Sequence, residues 1–402
     1  MDRIINIKKD QLSTTFFILG FVIFFPLFIR LPGLPVPMPI GLIFMSLATI
    51  IILTKSTSLK EKLLFPKYWT ILILAYVLSI FIPLLFGIQK TYLPYSSVLA
   101  AFQMVLPIGT FYIFYYLINT KEILRSVSIG GFLAVFSFCL LVLLSKNNLF
   151  LSGTFENVHP VLGGPFEFYQ FRQYVGTVMA SGMLLGLFIF RSGLNDFILV
   201  VCGLIMVLAI SEMYTSAGAV LSLISLMLMT YRYLGGFKLV LLLPIFLLIL
   251  FILGFGSAIQ EAISYELLNI AKAGNRFGVW SESIEIIKES PLIGNSFEFN
   301  SAFQERMLLS HSQPLNTFTR AGIFPFLIWI CMIFYAFYRS YSLVKISSSS
   351  NYYYGYIGLF FGIIQLAFLS AIVTTSLDQP YSGTIIWLFI SLVERGHFFV
   401  RQ

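Results

Sequence analysis

Charge is scarce in this chain. Only 10% of its 402 residues are Asp, Glu, Lys or Arg, and it has three histidines and three cysteines. With 58% hydrophobic residues and a mean hydropathy of +0.91, that scarcity excludes an ordinary soluble domain, in which about a quarter of residues are charged. Cys139, Cys202 and Cys331 all fall within apolar runs, so neither a disulfide framework nor a thiolate metal site is expected. The aspartates are Asp2, Asp10, Asp196 and Asp378, and Asp378 alone falls in an expected external segment. A transferase built on closely spaced carboxylates holding a divalent cation is therefore disfavoured. No Walker or Rossmann glycine motif appears, and no internal repeat stands out.

What the chain does have is long, continuous apolar runs, each near the ~20 residues needed to cross a bilayer as a helix. They predict an all-α polytopic membrane protein forming a single domain over 1–402. About twelve transmembrane helices are expected, near 12–29, 36–54, 68–87, 96–118, 126–145, 173–190, 195–211, 214–231, 237–257, 315–338, 355–375 and 381–394. Pro32, Pro35, Pro37 and Pro39 crowd the link between the first two, where no helix could continue. The first run lacks a small-residue cleavage pattern and reads as a retained span, not a signal peptide.

Lys and Arg resist translocation, so a cytoplasmic N-terminus is expected: it puts most of the 25 cations inside and most acids outside. Both termini are then cytoplasmic, with His397 in the C-terminal tail. The formal net charge of +8 follows from topology and anionic lipid contact, with no nucleic-acid partner.

Two external loops are too long to be plain connectors. The first, 146–172, carries His159, Glu167 and Tyr169 among aromatics and amides. These residue types stack on sugars and hydrogen-bond to them, and the same composition suits an interfacial aromatic belt. The second, 258–314, lies between spans nine and ten and contains an amphipathic helix at about 276–289. Phe277, Trp280, Ile284 and Ile287 recur at three- and four-residue spacing, with Gly278, Glu282, Glu285 and Glu289 opposite, until Ser290-Pro291 stops the run. Such a helix is expected to lie flat along the outer leaflet. Arg276 falls in its first turn, where a cation opposes the helix dipole. That points either to a bound phosphate or to a plain surface arginine.

Residues 275–323 hold Arg276 followed four residues on by Trp280, then Pro291-Leu292-Ile293-Gly294, then His311, with Gly322-Ile323 eleven residues further. In these motifs, and in the large external loop between spans nine and ten, the chain resembles the O-antigen ligase and Wzy-type polysaccharide polymerase superfamily. It departs from the pattern at Ser312, where the family has Asn after the His. It departs again at Ser216-Ala217-Gly218-Ala219, where the family often has Ser-Arg-Gly-Ala. The grip on a lipid diphosphate assigned to that missing arginine then passes to another residue, and Arg172 in the run Phe171-Arg172-Gln173-Tyr174 is the candidate.

The resemblance implies a GT-C-like fold and glycosyl transfer from an undecaprenyl-diphosphate-linked oligosaccharide at the outer face of the bacterial inner membrane. The transfer would be metal-independent, cofactor-free and inverting. Arg276, assisted by Arg172, Arg320 and Arg306, would stabilise the departing diphosphate, since a guanidinium stays charged and holds two phosphate oxygens at once. His311, which ionises near neutral pH, would deprotonate the acceptor hydroxyl. Trp280, Tyr169, Glu167 and His159 are candidate glycan or diphosphate contacts. Two activities remain open: polymerisation of repeat units into O-antigen or capsular polysaccharide, with a chain-length regulator as a further partner, and ligation of the finished glycan to lipid A-core. The alanine at 217 favours the polymerase. A flippase is disfavoured because the expected spans are almost free of charge away from their ends.

Overall fold

The computed structural model describes residues 27–29, 38–39, 66–85, 101, 104–146, 161–163, 166–168, 172–189, 193–212, 216–234, 274–294, 312–373 and 380–401. The expected span 237–257 lies outside them. The described residues are helical apart from one small sheet. In chain order the helices are α1 (Lys67–Leu85), α2 (Gly109–Leu117), α3 (Lys121–Lys146), α4 (Arg172–Met183), α5 (Gly193–Glu212), α6 (Ser216–Leu234), α7 (Gly274–Glu289), α8 (Gln313–Ala321), α9 (Ile323–Ile346), α10 (Tyr353–Phe368) and α11 (Pro380–Arg401). A 3-10 turn, Leu184–Phe188, extends α4, and a π turn, Leu369–Val373, extends α10.

Among the described residues, four stretches are long and apolar enough to cross a membrane: Lys121–Leu140, Ile323–Ile346, Tyr353–Ala371 and Gly383–Arg401. Shorter apolar helices cover Lys67–Pro83, Val178–Phe188, Asp196–Ser211 and Gly218–Arg232. Local chemistry accounts for several boundaries. Thr120 caps α3, its hydroxyl accepting the N–H of Ile123 at 3.2 Å while its carbonyl accepts that of Leu124. Glu122 follows in the first turn, where an acid suits the helix dipole.

The sheet corrects the expected ends of the first two spans. Strands β1 (Leu27–Ile29), β2 (Met38–Pro39), β3 (Val161–Gly163) and β4 (Phe166–Phe168) pair antiparallel in the order β2-β1-β4-β3. Residues 27–29 and 38–39 are thus extended where the sequence reading placed helix, because the prolines around them deny helical hydrogen bonds. Pro39 lies on an edge strand, the position in a sheet that tolerates a missing donor. The sheet joins two segments that the sequence reading placed on the same, external side.

Of the four described membrane-length stretches that of α11 is the most enclosed: 89% of it is buried, against 28% for α9. α9 accordingly presents Phe324, Phe334, Tyr338 and Tyr341 outward, as a lipid-facing helix does. Trp69, Phe111 and Trp387 form an aromatic core joining α1, α2 and α11, with ring centroids 5.7 to 5.9 Å apart. Each such pair contributes about 0.5–1.5 kcal/mol beyond area burial. Ser391 Oγ donates to the carbonyls of Trp387 (2.7 Å) and Phe111 (3.0 Å), tying α11 to α2. On α10, Gly358 lets the helix approach α4 closely: a Cβ there would sit 2.6 Å from the Leu184 carbonyl oxygen.

Candidate functional site

α7 ends at Glu289 and the chain turns through Ser290-Pro291-Leu292-Ile293-Gly294. Gly294 has φ +80°, and its N–H donates to the Ser290 carbonyl at 2.9 Å. Further on, α8 and α9 are separated by Gly322 alone, with φ +84°. Each glycine faces the backbone beside the other. A Cβ on Gly294 would lie 2.6 Å from the backbone N of Ala321 and the carbonyl O of Arg320, and one on Gly322 would overlap the Leu292 carbonyl. The N–H of Ile323 donates to the Pro291 carbonyl at 3.0 Å, closing the joint. Pro-x-x-Gly and Gly-Ile, remote in sequence, are therefore two halves of one backbone contact. Left-handed φ and close approach both demand glycine there.

The joint corrects the expected span 315–338. Residues 313–321 form a separate helix, and the membrane-length helix is Ile323–Ile346. α8 is amphipathic with its polar side inward: Gln313, Asn316, Thr317 and Thr319 are buried, and Phe318, partly exposed, stacks on Phe326 at 4.9 Å. Gln313 Nε2 donates to Thr317 Oγ1 at 3.3 Å, and Thr319 Oγ1 to the Leu315 carbonyl at 2.6 Å. The spacing Gln313, Asn316, Thr317, Arg320 is a helical stripe legible in the sequence. It was missed because the following apolar run dominated the reading.

α7 packs against α8, and this changes the face expected of it. Ser283, Ile286 and Ile287 are buried and Trp280 is half-buried, whereas Ile284 is 47% exposed. The inward face is set by contact with another helix, which accepts Ser283 and leaves Ile284 out. Glu282, Glu285 and Glu289 are exposed, with Glu285 paired to Lys288 at 2.6 Å.

Arg276 lies in the first turn of α7, and Arg172 opens α4, each described by its backbone. Arg320, half-buried, is in the last turn of α8 at the glycine joint. Glu167 is on β4, opposite Phe28 and Val161. His311, Arg306, His159 and Tyr169 lie outside the described residues. α8 is the shared neighbour: it touches α7, α1, α9 and the π turn, and the π turn also touches α4. The helix of Arg276, the helix that follows His311 and the helix opened by Arg172 are linked through these contacts.

Sequence reasoning overlooked two further polar groups. Gln365, buried in α10, donates Nε2–H to Ser225 Oγ (3.0 Å) and the Leu221 carbonyl (3.3 Å), and its Oε1 accepts from Ser181 (3.2 Å). It ties α10 to α6 and α4. The second group lies about 25 Å along α9 from Gly322, at 1.5 Å per residue. There Glu394 accepts from Arg339 Nε (2.6 Å) and Nη2 (2.7 Å) and from Trp69 Nε1 (3.0 Å). Arg395 donates to the Ile118 carbonyl and lies over the Tyr115 ring, and His397 Nε2 hydrogen-bonds the Arg339 carbonyl at 2.7 Å. His397 was expected in a tail, yet it is buried in a helix continuous to Arg401. The bundle supplies the partners that make its burial tolerable.

These features define the chain as a helical protein with several membrane-length helices and a glycine-clasped polar helix at the start of the hairpin formed by α9 and α10. No family model matches the chain, and no curated protein matches it significantly.

Proposed function

We propose that this protein is a metal-independent, inverting membrane glycosyltransferase that polymerises undecaprenyl-diphosphate-linked oligosaccharides into O-antigen or capsular polysaccharide. Supporting the reading above all is the Gly294–Gly322 joint, which holds together the segments carrying Arg276-Trp280, Pro291-Gly294 and Gly322-Ile323. A motif set dispersed over the sequence is more informative once its members share one contact.

In this reading about twelve spans of GT-C-like arrangement cross the bacterial inner membrane, with both termini cytoplasmic and the joint on the outer face. The acceptor hydroxyl attacks the anomeric carbon of the donor. A new glycosidic C–O bond forms as the bond to the diphosphate breaks, and the electron pair leaves on the diphosphate oxygen. An imidazole nitrogen of His311 takes the hydroxyl proton, and attack opposite the leaving group inverts the anomeric centre. Arg276, with Arg172, Arg320 and Arg306, neutralises the leaving diphosphate. Trp280, Tyr169, Glu167 and His159 line the glycan, and a chain-length regulator is the expected protein partner.

The test is reconstitution of the purified protein in liposomes with an undecaprenyl-diphosphate-linked repeat unit, products being resolved by size. A ladder of longer lipid-linked chains, lost in His311→Ala and Arg276→Ala, is the expected result. Product appearing only when lipid A-core is added would make the protein a ligase. Donor crossing the bilayer without transfer, unaffected by His311→Ala, would make it a transporter.

A further inference from the structure

The hydroxyl of Ser370 breaks a pattern that most other buried helical serines keep. Ser79, Ser128, Ser211, Ser225 and Ser391 each donate to the carbonyl three or four residues back along their own helix, the ordinary way of satisfying a hydroxyl inside a helix. Ser370 is fully buried, and its Oγ has no hydrogen-bond partner among the described residues. It lies in the π turn Leu369–Val373, a distortion that shifts the carbonyls a serine would otherwise use and is frequent at functional sites. A buried, unpartnered hydroxyl is destabilising unless something else takes its hydrogen bond.

The surroundings indicate what that is. The π turn packs on α8, the helix that begins two residues after His311, and on α4, which begins at Arg172. α10 and α4 run antiparallel, with Gly358 beside Leu184 and Gln365 bonded to Ser181. Continued five residues past Gln365, this register brings Ser370 level with Gly176, about one turn from Arg172 at the N-terminus of α4, a helix with no acid in its first turn. A helix N-terminus opened by an arginine lies within about one turn of a buried O–H donor that has no partner among the described residues, a combination suited to phosphate oxygens.

We infer that the π turn is part of the donor-binding surface and that Ser370 Oγ donates to a diphosphate oxygen of the lipid-linked donor; this rests on the glycosyltransferase reading. α8, only nine residues long and joined to α9 through Gly322, is the element that shifts to admit the diphosphate.

The experiment measures binding of undecaprenyl diphosphate, and of undecaprenol as a phosphate-free control, to the full chain in nanodiscs. Ser370→Ala removes the donor, and Ser370→Cys keeps the volume with a much weaker donor. Both should weaken undecaprenyl diphosphate binding roughly tenfold or more, as expected for a hydrogen bond to a charged group. Undecaprenol binding should stay at the wild-type value, and the melting temperature without ligand should not fall, since the hydroxyl removed has no partner among the described residues. Wild-type affinity in both variants would overturn the inference and leave the glycosyltransferase reading standing. A fall in melting temperature alongside affinity would also overturn it, by making Ser370 a packing residue. A wild-type protein that does not bind undecaprenyl diphosphate would overturn the glycosyltransferase reading and, with it, this inference.

Discussion

Gly294 and Gly322 each face the backbone beside the other: a Cβ on Gly294 would meet Arg320 and Ala321, one on Gly322 would meet Leu292 and Ile293, and neither position has room for it. Both also have φ near +80°, and Gly322 with ψ −170° lies in a region occupied essentially by glycine alone; such sparsely populated conformations cost about 1–3 kcal/mol each. Gly294→Ala and Gly322→Ala should each lower the melting temperature in detergent and reduce transfer severalfold in liposomes. Wild-type stability and transfer in either variant would mean that the joint does not hold the site.

Arg339 and Glu394 form a two-point ion pair that is largely buried. Arg339→Met alone leaves the carboxylate, among the described residues, with Trp69 Nε1, and breaking a buried pair in this way costs about 3–5 kcal/mol. Arg339→Met combined with Glu394→Leu removes both charges and should recover much of that loss. Chemical denaturation of the two variants decides the point; equal losses would show that the pair itself, and not the stranded charge, sets the penalty.

Gln365 ties its own helix α10 to two others, α4 and α6, through one amide. Gln365→Leu should destabilise by about 1–2 kcal/mol, the range of interhelical hydrogen bonds in membranes. The loss is limited because Ser225 Oγ keeps the Ala180 carbonyl at 2.8 Å. A much larger loss in steric-trapping or unfolding measurements would imply that Gln365 carries more than this network.

Arg276→Lys preserves charge but loses the planar fork that engages two phosphate oxygens. Turnover of the lipid-linked donor should fall by about 1–3 kcal/mol of transition-state stabilisation, the scale of charge-assisted hydrogen bonds. Full activity in the lysine variant would reduce the role of Arg276 to that of a point charge.

Orientation is checked by cysteine labelling in a background lacking Cys139, Cys202 and Cys331. Leu292, 61% exposed beside the joint, and Ser349, exposed in the turn between α9 and α10, lie at opposite ends of α9. A membrane-impermeant maleimide should label Leu292→Cys in intact cells and Ser349→Cys only after permeabilisation. The reverse pattern would invert the topology.

The sequence by itself determined what depends on local chain order. Apolar runs of spanning length specify α3, α9, α10 and α11 as helices, because a backbone in lipid must satisfy its hydrogen bonds internally. The polar segment around Arg276, Pro291 and Gly322 was legible as an island of motifs. Only the tertiary structure decided that Gly294 and Gly322 belong to one joint, that α7 turns Ser283 inward and Ile284 outward, that His397 and Glu394 are buried with partners, and that the Ser370 hydroxyl has none among the described residues. Periodicity is a property of neighbours along the chain, and it marks which side of a helix is apolar. Burial and close backbone approach are set by which remote helix packs against that side, and no single segment encodes that.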